Sequence, residues 1–253
     1  MNFTDKERLL AARGLALLET EGCGIGTLGE KLIHKTLKYF ISESRENHEQ
    51  KLRGAVADVV LEGRIYEIQT RALSRLVPKL SRFLTEYPVT VIYPLVTELN
   101  IVWLSPDSGE MSEPKKSSKR QVTASALYEI SSLFQLLDNT ELTVELLILR
   151  ATEYRLSDGY GSLGHKRATK LNIQPDEIYE QITIKSMADI AKLLPTDLPQ
   201  AFTAKEFYKS VKLRDRQGYY ALKALEKYGL LSAAEKRGNA IIYTAKNTVQ
   251  KSE

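Results

Sequence analysis

The chain has 253 residues, of which 43% are hydrophobic and 27% are charged, and its formal net charge is +4 at pH 7. These values are ordinary for a globular protein, and the length suffices for one large domain or two smaller ones. The single cysteine, Cys23, excludes an intramolecular disulfide framework, and the three scattered histidines lack the spacing of a zinc site. The start of the chain lacks the pattern of a signal peptide, and no apolar run approaches the ~20 residues of a membrane span. A cytoplasmic protein with no membrane partner is therefore expected.

The positive charge is concentrated near the end of the chain. From residue 199 onward there are eleven Lys or Arg and five Asp or Glu, a net charge of +6 that leaves −2 for the residues before it. A basic C-terminal module on a near-neutral body is typical of a protein whose end binds a polyanion.

Two helices are predicted in the first part of the chain. The residues Thr4-Asp5-Lys6-Glu7 resemble a capping box, and the apolar spacing that follows predicts a helix ending at Glu21-Gly22. Residues 30–42 predict a second helix with an apolar inner face. A basic stripe on another face suits either solvent or contacts with phosphates, and it comprises Lys31, His34, Lys35 and Lys38.

The next segment predicts a β-hairpin, with strands at residues 51–61 and 64–70 joined at a Glu-Gly turn. If the loop has two residues, Asp58 lies directly opposite Glu67. A three-residue loop with a left-handed glycine bulge is an equally ordinary alternative, and it would pair Asp58 with Tyr66 instead.

The two acids of this hairpin are the candidate site. Like charges directly opposite each other on neighbouring strands are destabilising, and Gln69 lies on the same face as Glu67. A hard divalent cation with oxygen ligands would offset the repulsion between Asp58 and Glu67. The alternative interpretation is that both acids sit on a solvated sheet face.

At these residues the sequence resembles the PD-(D/E)XK nuclease superfamily, in which an acid on one strand and Glu-x-Lys on the next precede a helix. Asp58 resembles the first acid, and residues 67–69 resemble the tripeptide with Gln69 in place of lysine. Glu30 resembles the acid that members often carry on the preceding helix. The resemblance covers about the first hundred residues and implies DNA hydrolysis with Mg²⁺ or Mn²⁺ as cofactor. The positive charge of the missing lysine is expected from Lys79 or Arg71.

The following elements complete a predicted mixed sheet flanked by helices. A basic helical segment at residues 71–86 contains Pro78, which implies a kink or a break. Residues 89–96 and 98–104 are near-continuous apolar runs and predict buried strands. The polar residues 105–121 predict a linker or flexible loop.

A second, longer hairpin is predicted after a helix at residues 123–137. Its strands are residues 142–156 and 177–185, and its tip is rich in glycine and basic residues. Such a tip suits contact with DNA, although an ordinary mobile loop is the alternative. The basic residues of the tip are His165, Lys166 and Arg167.

The C-terminal residues resemble a winged helix-turn-helix domain. A short helix at residues 186–194, helices at 203–210 and 214–228, and a hairpin with its turn at 236–239 follow in that order. The third helix would present cations to DNA, although winged helices also dock against protein surfaces. The residues expected to contact DNA are Arg214, Arg216, Tyr220, Lys223, Lys227, Arg237 and Asn239.

The expected fold is therefore α/β, with a restriction-endonuclease-like mixed sheet flanked by helices and a C-terminal winged helix-turn-helix domain. The predicted regions are a nuclease-like domain at 1–106, a linker at 107–121, a helix with a long hairpin at 122–185, and the winged helix at 186–253. The candidate catalytic residues are Asp58, Glu67, Gln69, Glu30 and Lys79. Asp58 and Glu67 are also the candidate ligands of Mg²⁺ or Mn²⁺.

The expected function is metal-dependent hydrolysis of phosphodiesters in DNA, positioned by the winged helix. DNA is the expected partner, and a homodimer is left open. The first alternative is a non-enzymatic DNA-binding regulator in which the nuclease-like fold is a scaffold. The second is a protein–protein module of a phage-defence or mobile-element system.

Overall fold

The protein is α/β, with a large mixed sheet flanked by helices, as the sequence predicts. The computed structural model describes residues 1–19, 29–118, 121–159 and 168–245, excluding the side chains of residues 29–31. Within these residues a seven-stranded sheet forms the body and a three-stranded sheet lies near the C-terminus. None of the described helices has both the length and the apolar character needed to cross a bilayer.

Two helices that pack against each other begin the chain. Helix α1 spans Lys6–Leu18 and α2 spans Gly29–Ile41. The predicted start of α1 is confirmed within one residue, but Asp5 is the cap, because its side chain accepts a hydrogen bond from the Arg8 backbone N–H at 3.0 Å.

The first three strands form an antiparallel meander with strand β1 at His48–Leu52, β2 at Ala55–Leu61 and β3 at Arg64–Ile68. The predicted first hairpin strand is therefore wrong in its extent. The chain reverses at Arg53-Gly54, where both residues have a positive φ and match a tight two-residue turn.

The segment predicted as one basic helix is broken, as Pro78 implies. A 3-10 helix at Leu73–Leu76 leads into helix α3 at Val77–Phe83, with Pro78 in its first turn. Proline is tolerated there because the first N–H groups of a helix have no intrahelical acceptor.

Two long strands follow at the centre of the sheet. Strand β4 spans Val89–Leu104, so the two predicted strands are one, with a register shift between Val96 and Glu98. Strand β6 spans Leu142–Leu156, as predicted, and β4 is parallel to both β3 and β6. Both are apolar along most of their length because central parallel strands are covered on both faces.

The sheet is continuous across the predicted linker. Strand β5, Lys115–Lys116, lies within that segment and pairs with β4. Strand β7, Thr169–Ile184, starts earlier than the predicted return strand because its pairing with β6 extends to Leu156–Thr169. The strand order is β1-β2-β3-β4-β6-β7, so residues on both sides of the linker share one sheet.

Two separate cores cover the two faces of this sheet. Helices α1 and α2 form one, in which Leu37 and Phe40 are fully buried. The other contains α3 and the residues predicted as one helix at 123–137, which are a short helix α4, Leu127–Ile130, between two 3-10 segments. Helices α2 and α3 therefore pack on opposite faces of the sheet.

The C-terminal module, residues 186–245, is built from short elements. It contains a 3-10 helix at Met187–Leu193, strand β8 at Ala201–Thr203 and helix α5 at Ala204–Ser210. Helix α6 and strands β9 and β10 complete it, and they span Asp215–Lys227, Leu231–Arg237 and Ala240–Ala245. Its sheet has the order β8-β10-β9.

The capping box predicted at Thr203 is present, with Glu206 as its acid.

The module is held on the body by a shared core. Leu222 and Leu225 of α6 are buried, and the Tyr228 ring meets Phe134 of the body edge-on at 5.5 Å. The apolar residues of the module thus belong to the same cluster as those under the sheet.

Replacing Gly218 with alanine is expected to destabilise the protein. A Cβ at this position of α6 would lie 2.4 Å from Cδ1 of Tyr208, so the ring or the helix must move. The expected loss is about 1–3 kcal/mol, the usual cost of overpacking a core, measured by denaturant unfolding.

Gly14→Ala is the matched control, because Gly14 is a helical glycine of α1 with nothing within 4 Å of an added Cβ. Alanine there is expected to stabilise the protein by about 0.5–1 kcal/mol. Equal effects of the two substitutions would contradict the proposed role of the Tyr208 contact.

Candidate carboxylate site

The register of the β2–β3 hairpin, continued one residue beyond its last pair, sets the two predicted acids opposite each other. Val59 pairs with Tyr66, and the pairing continues to Leu61 and Arg64 around a two-residue loop. The loop residues Glu62 and Gly63 have φ values of 51° and 75°, as a type I′ turn requires. The two-residue alternative is therefore confirmed and the three-residue bulge is wrong.

Beyond Val59 and Tyr66, the acid side chains bridge the two strands. The Asp58 backbone N–H donates to Oε1 of Glu67 at 3.3 Å, and the Ile68 backbone N–H donates to Oδ2 of Asp58 at 2.8 Å. Each carboxylate is therefore held against the backbone of the neighbouring strand, which fixes both side chains.

A basic side chain accompanies each acid. Nε2 of His34, on α2, lies 3.2 Å from Oδ2 of Asp58, and Nζ of Lys79, on α3, lies 2.5 Å from Oε2 of Glu67. The two basic groups come from opposite faces of the sheet. They offset the repulsion that the facing acids would otherwise experience.

A third acid extends the row onto β1. Glu49 lies between His48 and Gln50, whose partners on β2 are Val59 and Ala57, so Glu49 faces Asp58. Its Oε1 accepts a hydrogen bond from Nζ of Lys38 at 2.8 Å.

The row of Glu49, Asp58 and Glu67 therefore crosses three strands, and each acid has its own base. Lys38 was predicted on a basic surface stripe, but its side chain is buried and its Nζ is paired with Glu49.

The pKa values of the two central acids move in opposite directions. Burial, followed by the charge of Asp58, raises the pKa of Glu67 to about 7, although Lys79 opposes the change. Burial also acts to raise the pKa of Asp58. The hydrogen bond and the charge of His34, together with the hydrogen bond from the Ile68 N–H, outweigh the effect of burial, so the pKa of Asp58 is lowered. The pair thus contains one ionised acid and one that titrates near neutrality.

Gln69 lies just past the end of β3 and lines an open cleft. Its backbone N–H donates to the Ile92 carbonyl at 3.0 Å, and its side-chain Nε2 donates to the Arg71 carbonyl at 2.5 Å. The cleft has a volume of about 480 Å³, and its wall includes His34 and Lys35 of α2. The predicted tripeptide therefore presents Glu67 to Lys79 and Gln69 to a basic cleft.

Several predicted residues cannot be placed by this geometry. The side chain of Glu30 and the hairpin tip with His165, Lys166 and Arg167 lie outside the described residues. Among the residues that the structure does describe, no three His, Cys, Asp or Glu side chains are grouped closely enough to hold a metal ion.

The C-terminal module contains seven of the residues predicted to contact DNA, and six of these are exposed: Arg214, Arg216, Tyr220, Lys227, Arg237 and Asn239. The exception is Lys223, which is half-buried. Its Nζ lies 2.7 Å from Oε2 of Glu226 and 5.8 Å from the centre of the Tyr243 ring, so its charge already has a carboxylate partner.

Sequence reasoning missed three parts of these surfaces. It placed His34 and Lys38 on a basic stripe without their acid partners, and it did not select Glu49 at all. It also overlooked Tyr219, which is 48% exposed beside Tyr220 on α6. The three- and four-residue spacing of the basic residues on α2 was the available signal for His34 and Lys38, but it gave no signal for their acid partners.

Glu67→Gln is expected to change how stability depends on pH. Because the pKa of Glu67 rises from 4.5 to about 7 on folding, the native state binds more protons between these values. The free energy of unfolding of the unmodified protein should therefore fall by roughly 1–3 kcal/mol as the pH rises through this range.

Urea unfolding at about pH 5 and about pH 8 would measure the difference in the free energy of unfolding. Glu67→Gln should remove the part of its pH dependence that comes from Glu67. Glu43→Gln, at an exposed acid, is the control and should leave the slope unchanged. The same slope in all three proteins would show that Glu67 does not titrate in this range.

Comparisons with known proteins place the chain in a family. Residues 31–185 match the family model described as "Domain of unknown function (DUF8091)", a stretch that includes every strand of the large sheet. An "Uncharacterized protein" of Treponema pallidum (strain Nichols) is 29% identical over 226 residues, which cover 87% of this chain and 86% of that protein. No solved structure matches the chain. The chain therefore belongs to the family of the domain of unknown function DUF8091.

Proposed function

We propose that the protein binds DNA and hydrolyses phosphodiester bonds with a divalent metal ion, using a nuclease-like body and a C-terminal winged helix. The observation that carries this proposal is the pair Asp58 and Glu67 on adjacent strands, in which each carboxylate accepts a hydrogen bond from a backbone N–H of the other strand. An acid on each of two adjacent strands, followed by a helix, is what the PD-(D/E)XK resemblance implies. The helix that follows here brings Lys79 to Glu67.

The donor set of the site fits Mg²⁺ or Mn²⁺ in its chemistry. Mg²⁺ is commonly held by one or two carboxylates together with waters and substrate phosphates. Asp58 and Glu67 are the residues that would hold it, and Glu67 could use its Oε2 only after the Lys79 ammonium moves away. When bound, such an ion would polarise the scissile phosphate and lower the pKa of a water molecule.

The remaining groups of the site have roles that follow from their contacts. His34 and the Ile68 N–H hold Asp58 ionised and fixed, because both interactions lower its pKa. Lys79 supplies the positive charge that Gln69 cannot, at the acid of the tripeptide. The basic cleft beside Gln69 is suited to a phosphate of the substrate backbone.

One observation favours a second candidate, a non-enzymatic DNA-binding regulator. Each acid of the row already has a basic side chain as its partner, so none of the three is left without one. In that case the nuclease-like body is a scaffold, and its acids and bases stabilise the packing of α2 and α3 on the sheet.

The C-terminal module supports DNA binding under both candidates. Its strand–helix–helix–hairpin order is that of a winged helix, and α6 presents Arg216 and Lys227 to solvent. Arg216 lies 6.0 Å from the centre of the exposed Tyr220 ring, which orients its guanidinium along the outer face.

The two candidates are separated by a cleavage assay on supercoiled and linear DNA with Mg²⁺ or Mn²⁺. Asp58→Asn and Glu67→Gln remove one charge each but keep the side-chain shape, and each should reduce cleavage by at least roughly 10²-fold. Glu43→Gln, at an exposed acid outside the row, should cleave as the unmodified protein does.

Undiminished cleavage by Asp58→Asn and Glu67→Gln would remove the assigned site. Absence of cleavage by the unmodified protein, with DNA binding retained, would support the regulator.

Replacing both Arg216 and Lys227 with alanine is expected to weaken duplex DNA binding and its dependence on salt. Each lost phosphate contact reduces the slope of log K against log salt by about 1, so the double variant should lose about 2. Fluorescence anisotropy at several salt concentrations would measure the slope.

Lys51→Ala is the matched control for these substitutions, since Lys51 is an exposed lysine on β1 of the body. An unchanged slope in the α6 double variant would show that this face of α6 does not contact DNA.

A further inference from the structure

An aromatic groove lies on the C-terminal module between α5, α6 and β10. Its volume is about 550 Å³, within the ~300–1,000 Å³ typical of small-ligand sites. The walls include the rings of Tyr208, Tyr219 and Tyr243 and the side chains of Leu222 and Ile241.

The groove is held open by its packing. The Tyr208 ring lies directly on Gly218, where any larger residue would collide with it. Tyr243 is buried and stacks on Phe202 with ring centres 6.4 Å apart. The floor is therefore formed by packed aromatic rings.

The rim of the groove combines exposed apolar surface with positive charge. Tyr219 is 48% exposed and Ile241 is 38% exposed, which leaves an apolar surface open to solvent. Lys205 at the start of α5 and Asn239 at the hairpin turn also line the groove. These groups lie on the part of the chain that carries a net charge of +6 from residue 199 onward.

We propose that this groove binds an unpaired nucleobase, so that the module captures single-stranded nucleic acid. Tyrosine rings stack on any base, and Lys205, which lines the groove, would attract a phosphate that flanks it. A base within a duplex is stacked on its neighbours and paired, and therefore cannot enter a groove of this kind. An apolar peptide would fill the same walls, but the positive charge of the module favours a polyanion.

The inference rests on the nucleic-acid-binding part of the proposed function and does not depend on hydrolysis. It assigns Tyr219 and the groove to unpaired bases, whereas Arg216 and Lys227 on the outer face of α6 are assigned to duplex phosphates. The two surfaces can therefore be tested separately.

The test measures anisotropy of the full-length protein with labelled oligothymidine, with the same strand carrying abasic sites, and with a duplex, all with EDTA to prevent cleavage. Tyr219→Ala should weaken binding to oligothymidine by roughly 10-fold, and Tyr219→Phe should retain most of it, because stacking needs only the ring. Tyr179→Ala is the control, since Tyr179 is a comparably exposed tyrosine on β7.

Abasic sites in the strand should cause a similar loss, and Tyr219→Ala should then add little to it, because both changes remove the same contact. Duplex affinity should not change in Tyr219→Ala.

Equal binding of the abasic and thymine strands, or an unchanged oligothymidine affinity in Tyr219→Ala, would overturn the inference. Binding to duplex alone, dependent on Arg216 and Lys227, would overturn the inference but support the proposed winged helix. Binding to none of the three probes would overturn both.

Discussion

The site depends on two carboxylates that meet at the point where the pairing of β2 and β3 ends. Asp58 and Glu67 bond to each other's strands through backbone N–H groups, so neither can turn away without leaving a donor unpaired. Two like charges in that position require compensation. The helices on the two faces of the sheet provide it, since α2 delivers His34 to one acid and α3 delivers Lys79 to the other.

This compensation links the site to the architecture around it. The helices α2 and α3 belong to separate cores on opposite faces of the sheet. The row of acids therefore contacts basic side chains from both faces at one place. Glu67 is almost fully buried, which keeps its pKa near neutrality despite the adjacent ammonium of Lys79. Under the proposed function, a divalent cation at Asp58 and Glu67 would have to displace the ion pair between Glu67 and Lys79.

The C-terminal module places two different surfaces on one rigid unit. Its core is continuous with that of the body, so its position follows from packing that begins under the large sheet. The outer face of α6 carries cations suited to duplex phosphates, and the neighbouring groove carries tyrosines suited to single bases.

Local sequence determined the short-range features of this protein. The Glu-Gly turn predicted the hairpin but left two registers open, and the two-residue register, which sets Asp58 opposite Glu67, proved correct because both loop residues adopt a positive φ. Thr203 with Glu206 similarly identified the cap of α5, because a capping box joins residues only three positions apart.

Tertiary structure alone decided which distant residues meet. The pattern of α2 could not show that Lys38 turns inward to Glu49, nor could it pair His34 with Asp58, because these contacts depend on how a helix is rotated against the sheet. Tertiary structure also decided that Lys79, and not Arg71, pairs with Glu67. It joined the strands on both sides of the predicted linker into one sheet as well. The tyrosine groove likewise exists only because three elements pack together around Gly218, a relation between residues that no local pattern encodes.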